Sequence, residues 1–193
     1  MNGRPRLRVI IGSIASVGIV LLAVSLVHAV RGNPRVVPDQ PVHAATLKER
    51  FAILTRHHSK KCALRPQSLD SISVNGRLQG SCCTSMNLER YVRQIRGLKQ
   101  YANVSEIPRD PYDISVRLAK RLTSFASAVK LTSRQQAAYD RATKSAHEHG
   151  PCCCHCWRWS AFEGQAKYLI TQRGYDGRRV AAVWDLEDGC GGA

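Results

Sequence analysis

One short segment crowds four cysteines into five positions, and this density limits what the chain can fold into. Cys152, Cys153, Cys154 and Cys156 surround His155. Thiolate and imidazole are ligands that zinc prefers, and soft thiolates also select Cu(I). Side-chain packing alone does not require so many cysteines in one place. Folding must therefore either gather these side chains around a metal ion or bridge the thiols to distant cysteines.

The other cysteines supply further ligands for a metal site. Cys82 and Cys83 are adjacent in the chain, as are three of the cysteines in the 152–156 segment. A metal site built from both groups would favour Cu(I) because it is the softer ion, and zinc is the next choice. The candidate ligands are Cys82, Cys83, His149, Cys152, Cys153, Cys154, His155 and Cys156.

Disulfide bonds are a second interpretation of the same residues. Eight cysteines, an even number, are typical of disulfide-bonded proteins outside the cytoplasm. Adjacent cysteines close only a strained ring, so bridges would join Cys82 or Cys83 to the 152–156 segment. Cys62 and Cys190 stand alone in the chain and are candidates for a further disulfide.

The position of the cysteines relative to the predicted helices bears on their reactivity. Cys82-Cys83 and the 152–156 segment each precede a predicted helix, where free N–H groups and the helix dipole favour anions. Arg158 adds positive charge nearby. We therefore expect lowered thiol pKa values. Cys153 and Cys156 also have Cys-x-x-Cys spacing, which leaves a thiol–disulfide redox protein as an alternative, although the usual βαβ context is missing.

The N-terminal region predicts a membrane anchor. Residues 9–30 are apolar, carry no formal charge and are long enough to cross the hydrocarbon core of a bilayer. Arg4, Arg6 and Arg8 precede this stretch and predict a cytoplasmic N-terminus. The stretch exceeds the core of a typical signal peptide, so a retained signal-anchor is favoured over a cleaved leader. The predicted segments are a basic region 1–8, a transmembrane anchor 9–30, a proline-rich spacer 31–44 and an extracytoplasmic domain 45–193.

Helical periodicity dominates the outer domain and predicts an all-α fold. We expect a compact bundle of five to six helices with the cysteine-rich loops at helix N-termini. Asp110-Pro111 predicts a helix start, with Asp as the cap and Pro at the first position. Ser133 is expected to cap a further helix, and the one weak strand signal lies at 72–78. The expected helices span 45–60, 86–101, 110–129, 133–147, 156–173 and 176–186.

The net charge of +15, from 29 basic and 14 acidic residues, restricts the partners. A nucleic-acid-binding protein would place such charge on a basic stripe within a recognisable module, and none is visible, so no nucleic-acid partner is expected. The glycine-rich phosphate loop and the common catalytic motifs are also missing, so no catalytic residue is assigned and an enzyme is disfavoured. Attraction to anionic lipid head groups or to an acidic partner suits the charge better, with a solvated basic surface as the alternative. The expected partners are membrane lipid, through residues 9–30, and a membrane complex or metal-transfer protein.

The segment 151–156, Pro-Cys-Cys-Cys-His-Cys, resembles the motif of bacterial exported proteins named for a PCYCGC sequence. The shared pattern is Pro-Cys-x-Cys-x-Cys between two helices, with Cys153 in place of Tyr and His155 in place of Gly. The resemblance covers these six residues. It implies an extracytoplasmic location and cysteine chemistry.

The sequence therefore predicts a single-pass membrane protein with its N-terminus inside the cell and its bulk outside. Its Cys/His-rich domain is expected to bind Cu(I) or zinc for sequestration or transfer. The alternatives are a disulfide-stapled accessory subunit of a membrane protein complex and a thiol–disulfide redox protein.

Overall fold

The computed structural model of the protein describes residues 46–57 and 66–191. The anchor predicted over 9–30, the spacer predicted over 31–44 and Cys62 lie outside these residues. Across the two described ranges, no helix is both long enough and apolar enough to cross a membrane.

Six α-helices account for most of the described chain, so the predicted all-α fold is confirmed as far as a mostly helical domain. Two short 3-10 helices, Pro66–Ser71 and Lys99–Tyr101, accompany them. The α-helices are α1 (Leu47–Arg56), α2 (Leu88–Leu98), α3 (Val116–Ala128), α4 (Ser133–Ser145), α5 (Trp157–Arg173) and α6 (Gly177–Glu187).

The helix ends follow side-chain caps, which satisfy N–H groups that have no partner within the helix. The side chain of Asn87 caps α2, and that of Asp176 caps α6. Thr132, rather than the predicted Ser133, caps α4 in a capping box with Gln135. Helix α5 ends as expected at Gly174, whose φ of 65° lies in the left-handed region.

The predicted helix start at Asp110-Pro111 is wrong. Residues Asp113–Ser115 form strand β2, which pairs antiparallel with strand β1 (Arg77–Gln79). Helix α3 begins after Ser115, whose hydroxyl accepts a hydrogen bond from the N–H of Leu118 at 3.2 Å. The domain is therefore mostly helical with one small sheet, and the weak strand signal at 72–78 overlaps β1.

The acidic residues that suggested a helix start have tertiary partners instead. The Asp110 carboxylate accepts a hydrogen bond from Arg50 Nε at 2.7 Å and another from the Tyr91 hydroxyl at 2.9 Å. Asp113 accepts from Arg50 Nη2 at 2.7 Å and also pairs with Arg77. Both carboxylates are therefore held by charge-assisted hydrogen bonds to residues distant in the sequence.

Close helix packing builds the main core. Helix α3 packs on α5, and α4 packs on α6. At Gly164 in α5, a Cβ atom would overlap the carbonyl oxygen of Leu122 in α3, so glycine permits direct backbone contact between these helices. The large buried side chains include Trp157, Phe162, Leu169 and Trp184. Each such side chain stabilises the fold by about 1.5–3 kcal/mol through burial.

The cysteine-rich loops border this main core. Cys82, Cys152, Cys156 and Cys190 are counted among its buried residues. A smaller apolar cluster of Leu54, Met86, Tyr91 and Tyr112 connects α1 to α2 beside the strands. The fold thus brings sulfur atoms from distant parts of the chain to the edge of a rigid core.

Candidate metal centre

Seven cysteines of the described chain form a single group, which we call the cysteine cluster. The Sγ atoms of Cys152 and Cys190 are 3.3 Å apart. Cys83 Sγ lies 3.4 Å from Cys153 Sγ and 3.9 Å from Cys154 Sγ. These contacts exceed the S–S bond length of about 2.05 Å, so they are non-covalent. The members of the cluster are Cys82, Cys83, Cys152, Cys153, Cys154, Cys156 and Cys190.

The sulfur atoms approach each other closely enough to share metal ions. Cys83, Cys153 and Cys190 have Sγ atoms that all lie within 4.8 Å of one another. The same is true of Cys152, Cys153 and Cys154. Cys156 joins the cluster through side-chain hydrogen bonding with Cys82 and with Cys152.

Backbone hydrogen bonds join the first and last of the three loops that supply the cysteines. The N–H of Cys82 donates to the Gly189 carbonyl at 2.9 Å. The N–H groups of Cys83 and Thr84 both donate to the Cys190 carbonyl, at 3.2 and 2.8 Å. These three hydrogen bonds hold together residues more than a hundred positions apart in sequence. Cys190, which the sequence suggested as an isolated disulfide candidate, becomes part of the cluster.

Helix α2 holds the last loop in place. Asp188, which is buried, pairs with Arg90, and its carbonyl accepts a hydrogen bond from Gln94 Nε2 at 2.7 Å. The Asp188 carboxylate also accepts from the N–H of Cys190 at 2.9 Å. These contacts fix the turn that carries the Cys190 thiol. Sequence reasoning missed all three supporting residues because nothing in the local pattern connects α2 with position 188.

The cluster has a buried side and a solvent-facing side. Cys82, Cys152, Cys156 and Cys190 are buried, with Cys152 and Cys156 only 1% exposed. Cys83 and Cys153 are exposed, and Cys154 is partly exposed. Cys156 is the N-cap residue of α5, so the 152–156 segment lies at a helix N-terminus as the sequence predicted. The Cys156 side chain makes no capping hydrogen bond. Cys82 and Cys83 lie in a loop that ends at Asn87. The prediction that they lie at a helix N-terminus is therefore wrong.

Arg158 places a buried positive charge against the sulfur atoms. Its side chain is 1% exposed, and its Nε donates to Cys82 Sγ at 3.4 Å. Its Nη1 donates to the Pro111 carbonyl at 2.7 Å, and its guanidinium lies 5.0 Å from the centre of the Trp157 ring. Within the described residues, no carboxylate is in ion-pair contact with Arg158. A buried charge is stable only when paired, so this arginine favours thiolate anions beside it.

The pKa of Arg158 reflects the same surroundings. Burial alone lowers this pKa, but the charges that Cys82, Cys152 and Cys156 carry as thiolates outweigh the burial and raise it. The backbone leaves room for the guanidinium at Gly189, where a Cβ atom would overlap it. Arg158 and the cysteine cluster are therefore packed directly against each other.

The expectation of lowered thiol pKa values is wrong. Hydrogen bonding with Cys152, together with burial, raises the pKa of Cys156 to about 11. Burial raises the pKa of Cys153 to about 12. The hydrogen bond with Cys152 lowers the pKa of Cys190, but burial and nearby groups raise it to about 12. Neighbouring thiols disfavour each other's ionisation, and this outweighs the helix dipole. A bound metal cation reverses the balance because a coordinating thiol loses its proton.

The candidate histidines lie on the surface. His155 is exposed and stacks on Trp159, with ring centres 3.9 Å apart. His149 is exposed and has a φ of 51°. Neither side chain belongs to the sets of mutually close ligand atoms found in the described part of the chain. The structure therefore brings cysteines together without these histidines, and their role as ligands stays a prediction.

Comparisons with models of protein families, with curated proteins and with solved structures find no match to this chain. The resemblance to PCYCGC-motif proteins stays a prediction. The geometry of the cysteine cluster is therefore the main evidence on function.

Proposed function

We propose that this protein binds a soft metal ion through the cysteine cluster, with Cu(I) favoured and zinc the next candidate. The observation that supports this proposal is the contact, at 3.3–3.9 Å, between thiols from three separate loops. The protein then sequesters the metal or passes it on, without catalytic turnover.

The spacing of the sulfur atoms agrees with thiolate coordination. A zinc ion bound at a Zn–S distance of about 2.3 Å holds tetrahedral sulfur ligands about 3.8 Å apart. The contacts in the cluster are close to this separation, so small side-chain movements suffice to admit an ion. Thiolate-only ligand sets are soft, and they favour Cu(I) over harder cations.

Electrostatics also supports an anionic centre. Several thiolates around one ion carry a net negative charge, and the guanidinium of Arg158 is placed to neutralise part of it. Hydrogen bonds from such second-layer groups orient the ligands and tune metal affinity. The exposed Cys83 and Cys153 give a metal donor or acceptor access to the centre.

We infer further that the centre faces outward from a membrane on an anchor formed by residues 9–30. The support comes from the uncharged apolar stretch and from the arginines that precede it. Protease digestion of intact spheroplasts tests this location: an outward-facing domain is degraded, whereas a domain on the inner side survives.

Metal titration of the full chain tests the proposed function. The protein is purified in detergent, reduced and without oxygen, and is then titrated with Cu(I) and separately with Zn(II). Native mass spectrometry is expected to show retained metal, and ultraviolet absorption is expected to show thiolate-to-metal charge transfer. A quadruple variant, C152S/C153S/C154S/C156S, is expected to lose both signals.

The control is His57→Ala, which removes an exposed imidazole outside the cluster and is expected to leave both signals unchanged. Two outcomes contradict the proposal. One is failure to retain either metal in stoichiometric amount. The other is protein isolated from cells without metal and lighter by pairs of hydrogen atoms, which would favour the disulfide-stapled subunit.

A further inference from the structure

The two sets of close sulfur atoms overlap at a single residue. Cys83, Cys153 and Cys190 form one set, and Cys152, Cys153 and Cys154 form the other. Cys153 belongs to both. We propose that the cluster binds two Cu(I) ions, with the Cys153 thiolate bridging them. This inference rests on the proposed function and adds the number of ions and the role of one ligand.

The number of sulfur atoms supports more than one ion. A single Cu(I) ion takes two or three thiolate ligands, and a single zinc ion takes four. Seven described cysteines exceed either number. If one ion bound, the remaining thiols would stay protonated within contact distance of the occupied site. A second ion uses these thiols and supplies further positive charge to a crowded anionic centre.

The arrangement of the two sets supports three-coordinate ions. Each set contains three mutually close sulfur atoms, and a d¹⁰ Cu(I) ion accepts three thiolates in a plane. A thiolate sulfur has more than one lone pair, so it can bind two soft ions at once. Cys153 Sγ lies 3.4 Å from Cys83 Sγ of the first set, which is somewhat closer than two thiolates on one ion, so the two side chains need only move slightly apart to admit the metal.

Burial gives the two sets the same pattern, with one buried sulfur and two that are exposed or partly exposed. Cys190 in the first set and Cys152 in the second are buried and anchor the pair to the core. Cys83, Cys153 and Cys154 face solvent or lie partly exposed. The bridging residue is thus the ligand that an incoming metal donor reaches directly. Each of the five thiols releases one proton as it binds copper, and no oxidation or reduction takes place.

The test measures copper content and copper–copper proximity in the reduced full chain. Titration with Cu(I), followed by native mass spectrometry, is expected to give two ions per chain. X-ray absorption is expected to show copper–copper scattering from the bridged pair. Cys153→Ser is expected to reduce the content to at most one ion and to abolish this scattering.

Two further variants make the result specific. Cys154→Ser removes a ligand of the second set only, so it is expected to retain one ion in the first set. Ser85→Ala changes an exposed residue in the same loop as Cys83 and is expected to keep both ions. Cys153 is exposed, so its serine variant is expected to fold, which far-ultraviolet circular dichroism checks.

The outcomes separate this inference from the proposed function. No bound copper in the unaltered protein would overturn both. One bound copper would leave the proposed function standing and overturn the two-ion centre. Two bound ions that persist, with copper–copper scattering, in Cys153→Ser would overturn the bridging role of Cys153.

Discussion

Two polar regions of this protein each hold buried charged groups but differ in how the charge is balanced. In the first, which we call the ion-pair centre, Asp110 and Asp113 meet Arg50 and Arg77, and the Tyr91 hydroxyl completes the contacts. In the second, the buried guanidinium of Arg158 meets the sulfur of Cys82 and has no carboxylate partner among the described residues. The two regions are adjacent, since Arg158 donates to the carbonyl of Pro111.

The difference fits a structural role for the first region and the proposed metal site for the second. The ion-pair centre is balanced by the chain's own charges and needs no ligand. The cysteine cluster is balanced only when its thiols become thiolates, and their pKa values are raised by mutual contact and burial. In the proposed function, a bound metal ion would remove the thiol protons, create an anionic centre and give Arg158 a counter-charge. Three predictions test this comparison.

The largest effect is expected from Arg158→Met, which removes the buried charge and keeps much of the volume. Loss of one partner of a buried ion pair costs about 3–5 kcal/mol, so the copper-loaded protein is expected to lose about this much stability. The metal-free, reduced protein is expected to lose far less, because its thiols are neutral. Urea unfolding of both forms measures the difference.

Arg158→Lys serves as the matched variant, because it keeps the positive charge and loses the planar guanidinium group with its several N–H donors. It is expected to recover part of the stability of the loaded form. Equal destabilisation of the loaded and metal-free forms by Arg158→Met would mean that the Pro111 carbonyl and the aromatic rings, rather than thiolates, support the arginine.

A smaller effect, independent of metal, is expected from Asp110→Asn. This change weakens the charged hydrogen bonds from Arg50 and Tyr91, which is expected to cost about 1–3 kcal/mol. Urea unfolding with and without copper is the measurement. Asp70→Asn, at an exposed acid in a 3-10 helix, is the control and is expected to change little. A cost at Asp110 that appears only with copper bound would contradict the assignment of this centre as structural.

The smallest effect is expected from Glu187→Gln, which tests a buried acid without an ion-pair partner among the described residues. Burial raises the pKa of Glu187 well above 4.5, against the opposing effects of the Gln165 hydrogen bond and the Arg158 charge. The folded protein therefore holds this proton more tightly than the unfolded chain, and stability falls as the pH rises above 4.5. Glutamine keeps the hydrogen bond to Gln165 without binding that proton.

We expect Glu187→Gln to match the unaltered protein at acidic pH and to be more stable at neutral pH. Unfolding curves across this pH range provide the measurement, with the metal-free form used to isolate the carboxyl group. Greater stability of the unaltered protein at neutral pH would show that the carboxylate is ionised and balanced by Arg158.

Local sequence patterns predicted most of the helices because the relevant forces act over a few residues. Apolar residues spaced three and four apart placed α2, and Gly174 marked the end of α5. The same logic failed at Asp110, whose main partner, Arg50, lies sixty positions earlier in the chain. An acid before a proline indicates a cap only when no distant cation competes for it.

The candidate site was predictable in part. The density of cysteines in 152–156 and the pair at 82–83 indicated a shared centre, and the structure brings both groups together. It also adds Cys190 through the backbone pairing of its loop with Cys82 and Cys83. The histidines suggested as ligands remain at the surface. Proximity in sequence supplied the candidates, but it did not identify which side chains point toward one another.

The amino-acid sequence by itself determined the helical character of the described domain and the presence of concentrated thiol chemistry. Both depend on residue type and short-range spacing. Only the tertiary structure decided that Cys190 joins the cluster, that Cys153 lies between two sulfur sets and that Arg158 is buried against Cys82. These outcomes depend on packing between segments far apart in the chain, where burial and neighbouring charge set the energy of each side chain.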